Sequence, residues 1–174
     1  MSTSPTPFET DGSSGSLRAI IRRNPDDPAE LEMIEATWGS NLRFTDGVDY
    51  RFVQAGEKPF LTNRCLIPAS EFQMKVGEKR YRATLDCGNW FYLAGVWEPG
   101  DNGEVFFRII TVYANCDIVD YQQRHGAIIL RRQRYEWLDS LVPATDLLCT
   151  PPARTFHVER IGGRKPRRQG ELTL

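Results

Sequence analysis

The stretch WFYLAGVWEPGDNGEVFFRIITVYA, residues 90–114, decides the fold class. Two runs of β-branched and aromatic residues, Trp90 to Trp97 and Phe106 to Ala114, flank Glu98-Pro99-Gly100-Asp101-Asn102-Gly103. Proline and glycine suit the backbone angles of a turn, and Asp and Asn close local hydrogen bonds there, so the segment predicts a β-hairpin. Both runs are apolar almost without interruption. Burial on both faces follows, as in a barrel wall or a sheet covered by helices, and places the hairpin at the centre of the sheet.

Working upstream, Arg64 to Ala69 is a short apolar run that Phe72 to Met74 continues. The turn Val76-Gly77-Glu78-Lys79 then returns Arg80 to Leu85 antiparallel to it. Residues 40–63 have mixed polarity and turn signals at Gly47 and Gly56, which predicts irregular chain with one short helix. Leu17 to Arg22 and Leu31 to Trp38 form a further hairpin around Asn24-Pro25-Asp26-Asp27-Pro28. Residues 1–16, rich in Ser, Thr, Pro and Gly, read as a flexible lead.

Downstream, Tyr135, Leu138 and Leu141 with Trp137 give an apolar stripe that predicts a helix over Arg131 to Leu141, stopped by Pro143. Phe156 to Ile161 is a last strand, and residues 162–174 a basic tail. The expected organisation is one domain over 17–161, a mainly antiparallel, barrel-like α+β fold with a few short helices.

Bulk properties narrow the function classes. Of 174 residues, 40% are hydrophobic and 26% charged, the composition of a folded globular chain. No apolar run approaches the roughly 20 residues of a membrane-spanning helix, and no signal peptide is recognisable, so no membrane partner and a cytoplasmic location are expected. Cys65, Cys87, Cys116 and Cys149 are widely spaced, and only His125 and His157 are available, so neither a metal site nor a cofactor is implied. Net charge is −1, but arginines gather at Arg22-Arg23, at Arg131-Arg132-Arg134 and in the tail. Such clusters meet phosphates or form a solvated face.

Several segments, in order, resemble the SRAP (SOS response-associated peptidase) family. They are Ala19 to Asn24, Trp38-Gly39, Asn41-Leu42-Arg43, Asn63-Arg64-Cys65-Leu66-Ile67-Pro68-Ala69, Ala94-Gly95-Val96-Trp97, Ile109-Ile110-Thr111 with Ala114-Asn115, and Trp137-Leu138-Asp139. The stretch Tyr121 to Leu130 takes the place of the family's H-D-R-x-P-V-I-L. The resemblance implies a DNA groove and a distinctive chemistry, in which an N-terminal cysteine captures the aldehyde of an abasic site as a thiazolidine. A glutamate and a histidine move the protons, while an asparagine and arginines orient sugar and phosphate.

The chain departs from that pattern at its reactive positions. Position 2 is Ser2, and no cysteine precedes Cys65. The lead before Ala19 is shorter than in the family, so the strand and helix that would seat the N-terminus are expected to be missing. Met74 stands at the glutamate position, and Glu71, three residues away in a strand, faces the opposite side. Gln122 stands at the histidine position and cannot shuttle a proton near neutrality, while His125 is a structural or rim histidine. The residues that resemble the family's DNA-binding set are Asn41, Arg43, Arg64 and Arg124, with Trp38 as a candidate base-stacking ring.

The expected function is therefore binding of single-stranded or abasic DNA with catalysis impaired. Two further readings stay open: a Schiff-base lyase or peptidase with relocated residues, and an interaction module that meets no nucleic acid.

Overall fold

The computed structural model of the protein describes residues 5–13, 15–42, 45–48, 50–56 and 60–162. In chain order its strands are β1 (Thr6–Glu9), β2 (Leu17–Arg23), β3 (Leu31–Trp38), β4 (Phe52–Gln54), β5 (Arg64–Val76), β6 (Lys79–Leu85), β7 (Phe91–Pro99) and β8 (Val105–Tyr113). Two short strands, β9 (Arg124–Gly126) and β10 (Ile128–Ile129), precede α1 (Arg134–Leu138) and α2 (Ala144–Leu147), and β11 (Phe156–Ile161) ends the order. No described helix is long and apolar enough to cross a membrane.

Five of the strands close on themselves. Hydrogen-bonded pairing runs β5, β7, β8, β3, β2 and back to β5, which makes a five-stranded barrel. Most pairs are antiparallel, but β1 with β5, β3 with β8 and β4 with β8 are parallel. The predicted central hairpin is β7 and β8, paired from Gly95↔Ile109 to Pro99↔Val105. Its double burial also holds. On β7, Phe91 and Leu93 belong to one core cluster, while Tyr92 and Ala94 belong to a second cluster with Trp137 and Leu138 of α1.

Gly95 shows why this wall needs a residue without a side chain. It pairs with Cys65 on one side and Ile109 on the other, and a Cβ there would meet Ile67 Cδ1 at 2.6 Å, Cys65 Sγ at 2.9 Å and the Arg108 carbonyl oxygen at 3.0 Å. The close approach of three strands leaves no room for a methyl group.

Four expectations are corrected. First, the lead is not wholly flexible: Thr6–Glu9 is a strand parallel to β5, with Phe8 3% exposed under Trp38. Its polar composition concealed one buried aromatic and a backbone pairing that composition does not report. Arg18 locks the strand in place, with Nη1 donating to the Pro7 carbonyl at 2.8 Å and Nη2 to those of Thr6 at 2.8 Å and Pro68 at 2.9 Å. Burial lowers the Arg18 pKa to about 10, still far above neutrality, so the clamp stays charged.

Second, no helix forms among the described residues of 40–63; the ordered element there is β4, added parallel to β8. Third, the helix predicted over Arg131 to Leu141 is a 3₁₀ turn at Arg131–Gln133 followed by the five residues of α1. Ser140 adopts a left-handed φ of 52° and ends it. Trp137 and Leu138 turn inward while Tyr135 and Leu141 are exposed, so the stripe read from the sequence was rotated away from the buried face. Fourth, α2, β9 and β10 were not anticipated, each being too short to carry a periodic signal. The basic tail beyond Gly162 and Ser2 lie outside the described residues.

If Phe8 anchors β1, Phe8→Ala should lower unfolding free energy by about 3 kcal/mol in urea titration, the usual cost of emptying a buried aromatic site. A loss under about 0.5 kcal/mol would mean that the strand contributes nothing to the core.

Candidate functional site

Gln122 and Arg124 stand on a cleft of about 510 Å³. Its walls come from chain segments far apart in sequence: Thr10 and Asp11 beyond β1, Lys75 at the end of β5, Thr111 on β8, and Gln122, Arg124 and His125 at β9. Thr10 is held by its N–H and its hydroxyl, both donating to the Gln73 carbonyl, at 3.1 and 2.6 Å. Asp11 is clamped by Arg80 through two hydrogen bonds of 3.0 and 2.9 Å. That hydrogen bonding from Arg80 holds the Asp11 carboxyl below its ordinary value, so it is ionised and already neutralised.

Gln122 is delivered by a tight turn that Asn115 organises. The Asn115 side chain donates to Asp117 Oδ2 and to the Pro152 carbonyl, both at 2.9 Å, and its Oδ1 accepts from the Asp117 N–H. Partial burial of Asp117 raises its carboxyl pKa. The N–H groups of Phe156 and Arg154 and the Asn115 amide outweigh this and hold it below the usual range. The Asn115 position is thus a brace for the loop carrying Gln122.

Arg124 is the central cation. Its Nε donates to Thr111 Oγ1 at 3.0 Å and its Nη2 to the Thr111 carbonyl at 2.6 Å, while the guanidinium lies 4.5 Å above the Tyr113 ring. No carboxylate pairs with it among the described residues. Arg124 also lines a second, larger cavity of about 720 Å³, together with Arg64, Phe60, Leu61 and the Ser140 to Thr145 loop. It therefore stands between two compartments.

The sequence-derived site residues separate in space. Arg64 shares the larger cavity with Arg124, yet it is 6% exposed. It bonds the Phe60 and Trp137 carbonyls at 2.6 and 2.9 Å and stacks on Trp137. Asn41 is buried against Glu98, whose Oε1 accepts its N–H at 3.1 Å, and it lines neither cavity. Trp38 is 2% exposed, packed edge-on between Phe8 and Phe52 with Arg51 above it and its indole N–H on the Arg51 carbonyl. No ring face is left for a base. Arg43 lies outside the described residues.

The residues that the sequence resemblance sets at or near proton-transfer positions are also located. Met74 is fully buried in the barrel core. Glu71 is on the other face of β5, where its carboxylate accepts a bond from Gln73 Nε2 at 3.0 Å. His125 is buried, its ring stacked on Phe72 with Phe156 at its edge. Its Nδ1 lies 2.8 Å from the Gly126 carbonyl, which makes Nδ1 the protonated nitrogen and leaves Nε2 buried without a partner. Sequence reasoning missed Lys75, Thr10 and Asp11. Lys75 had a signal, since it follows the buried Met74 and strand alternation sends it outward.

Burial and then the nearby Arg124 charge depress the His125 pKa below 6.5, while the Gly126 contact raises it by less. Below about pH 6.5 the unfolded chain takes up a proton that the folded imidazole resists, so stability falls as pH falls. The expected result is a decline in urea midpoint between about pH 6.5 and 5 that is shallower in His125→Phe. Parallel curves for the two proteins would remove His125 as the cause.

The family described as SOS response associated peptidase (SRAP) matches residues 54–162. The chain belongs to the SRAP family. Solved structures agree at the level of fold. A Bacteroides thetaiotaomicron protein superposes with a TM-score of 0.64 at 20% identity, over 85% of this chain and 75% of its own. A Bordetella bronchiseptica protein gives 0.66 at 20%, over 86% of each chain. A phage-related protein from the same organism gives 0.63 at 18%, over 86% of this chain and 80% of its own. No curated protein matches the sequence. As an SRAP member the protein is SOS-response-associated.

Proposed function

We propose that this SRAP protein binds single-stranded or abasic DNA in the cleft beside Arg124 and lacks the family's proton-transfer chemistry. The observation that supports the reading is Arg124 itself. It is an arginine without a carboxylate partner among the described residues, fixed by Thr111 at the junction of two cavities, with Lys75 exposed on the rim of one. Fixed guanidinium and mobile ammonium groups together suit successive phosphates. Asp11 does not oppose them, because Arg80 neutralises it.

The loss of chemistry follows from the donor set. A buried thioether at Met74 and an amide at Gln122 transfer no protons, and the Nε2 of His125 has almost no solvent access. Base stacking by Trp38 and contacts by Asn41 are not part of this reading, since both residues are buried in the fold.

Wild-type protein should retard a labelled oligothymidylate in a gel shift, with affinity falling steeply as salt rises. Lys75→Gln should lessen the slope of log K against log salt by about 0.7, one phosphate contact on a single strand. Absence of binding at low salt would eliminate the DNA reading and leave the interaction module.

One observation favours a second reading. Lys75 places a primary amine on the cleft, and an amine attacks an abasic aldehyde to give a Schiff base with loss of water. Borohydride would reduce that imine to a stable adduct. On the first reading no adduct forms; one that disappears in Lys75→Gln would establish a lyase instead.

A further inference from the structure

A patch away from both cavities described above combines arginines with aromatic rings. Trp90, just before β7, meets Tyr92 edge-on with ring centroids 5.0 Å apart. Arg131 lies over the Trp90 ring at 4.9 Å, and Arg134 lies over Tyr135 at 4.7 Å. Arg23 reaches the same Tyr135 ring at 5.7 Å from β2, so the patch is continuous from the barrel wall to α1. None of these residues lines a cavity described above.

The charges are unequally compensated. Asp139 holds Arg23 through two bonds of 2.7 Å. Arg131, Arg132 and Arg134 have no carboxylate partner among the described residues, and Arg131 and Arg132 are exposed. The Arg134 Nη1 donates only to the Arg131 carbonyl, at 2.8 Å. Glu136 on α1 leaves three arginines against one unpaired acid. A fold gains little from three uncompensated guanidinium groups on one short segment, whereas a polyanion would neutralise them.

The rings decide which polyanion. A guanidinium resting on a ring that reaches solvent is weakly held, and it is readily exchanged for a phosphate while the freed ring face takes a base. Trp90, half-buried with its inner side packed on the core, and the exposed Tyr135 supply those faces. An acidic peptide would use the arginines and leave the rings idle.

We infer that Trp90, Arg131, Arg132, Arg134 and Tyr135 form a second contact surface for single-stranded nucleic acid, separate from the Arg124 cleft. The inference rests on the reading of the protein as a single-strand binder and extends the bound strand beyond the cleft. Phosphates pair with the three arginines, and bases stack on Trp90 and Tyr135.

The test uses the full chain and a fluorescent oligothymidylate, with Lys75→Gln as the cleft variant. The patch variant carries Arg131→Gln, Arg132→Gln and Arg134→Gln together. It should bind roughly tenfold more weakly, and its salt slope should fall by about 2, three contacts at about 0.7 each. Arg132 is exposed and makes no side-chain hydrogen bond or ion pair among the described residues, so Arg132→Gln alone should give one third of that slope change with unaltered circular dichroism. Trp90→Leu should weaken oligothymidylate roughly tenfold and leave heparin binding unchanged. If the patch variants bind with wild-type slope while Lys75→Gln is impaired, the second surface is wrong and the cleft reading stands. If wild-type protein binds no strand at all, both fall. If Trp90→Leu loses heparin and oligothymidylate equally, the patch is a general acidic-polymer surface and the proposal is overturned.

Discussion

Everything in this molecule is tied to the thirteen residues of β5. Its first half, Arg64 to Ala69, pairs with β7, and its second half, Phe72 to Val76, pairs with β6. β1 lies along its middle, and β2 meets it at Ile21↔Leu66 to complete the ring. One strand with four partners must be buried along most of its length, and from Arg64 to Ala69 every residue is. The closing seams are short by comparison, since β3 and β8 pair only at Thr37↔Phe106 and Trp38↔Phe107. Side chains reinforce those seams. Trp38 fills the space beneath them, and Arg18 ties β1, β2 and β5 through three carbonyls.

This arrangement separates the cleft's shape from its chemistry. Its walls are the ends of strands whose inner residues belong to the core, so the cleft's shape is set by packing behind it. Met74 joins that packing directly beside Lys75 of the cleft wall. Gln122 likewise depends on the Asn115 and Asp117 brace, which works whether an amide or an imidazole follows. The scaffold and the reactive groups are separable, so one can persist when the others change.

Much of the fold was legible because long apolar runs dominate it. The hairpins of β2 with β3, β5 with β6, and β7 with β8 carry strong turn sequences between β-branched segments, and each formed within one or two residues of expectation, except that β5 runs on through Ser70 and Glu71 without a break. Short elements carry no such signal. β1 rests on Phe8 and a distant arginine, and α1 was misjudged because five residues hold too little periodicity to choose a face. The candidate site was less legible. Asn41, Arg64 and Trp38 look like ligand-binding types in sequence, yet each is used by the fold through carbonyl, carboxylate or ring contacts that only the tertiary structure reveals. Among the described candidate DNA-binding residues, Arg124 alone lines a cleft with a side chain that is not buried.

The direction of β1 has a practical side. The strand runs parallel to β5, beginning opposite Ala69 and delivering Thr10 and Asp11 to the cleft. At about 3.3 Å per residue, Thr6 is roughly 10 Å back along the strand from Glu9, the residue before Thr10. A dye or tether fused ahead of Thr6 would start a full strand's length from the cleft, whereas one attached at the Gly77 turn, next to Lys75, would sit at its mouth.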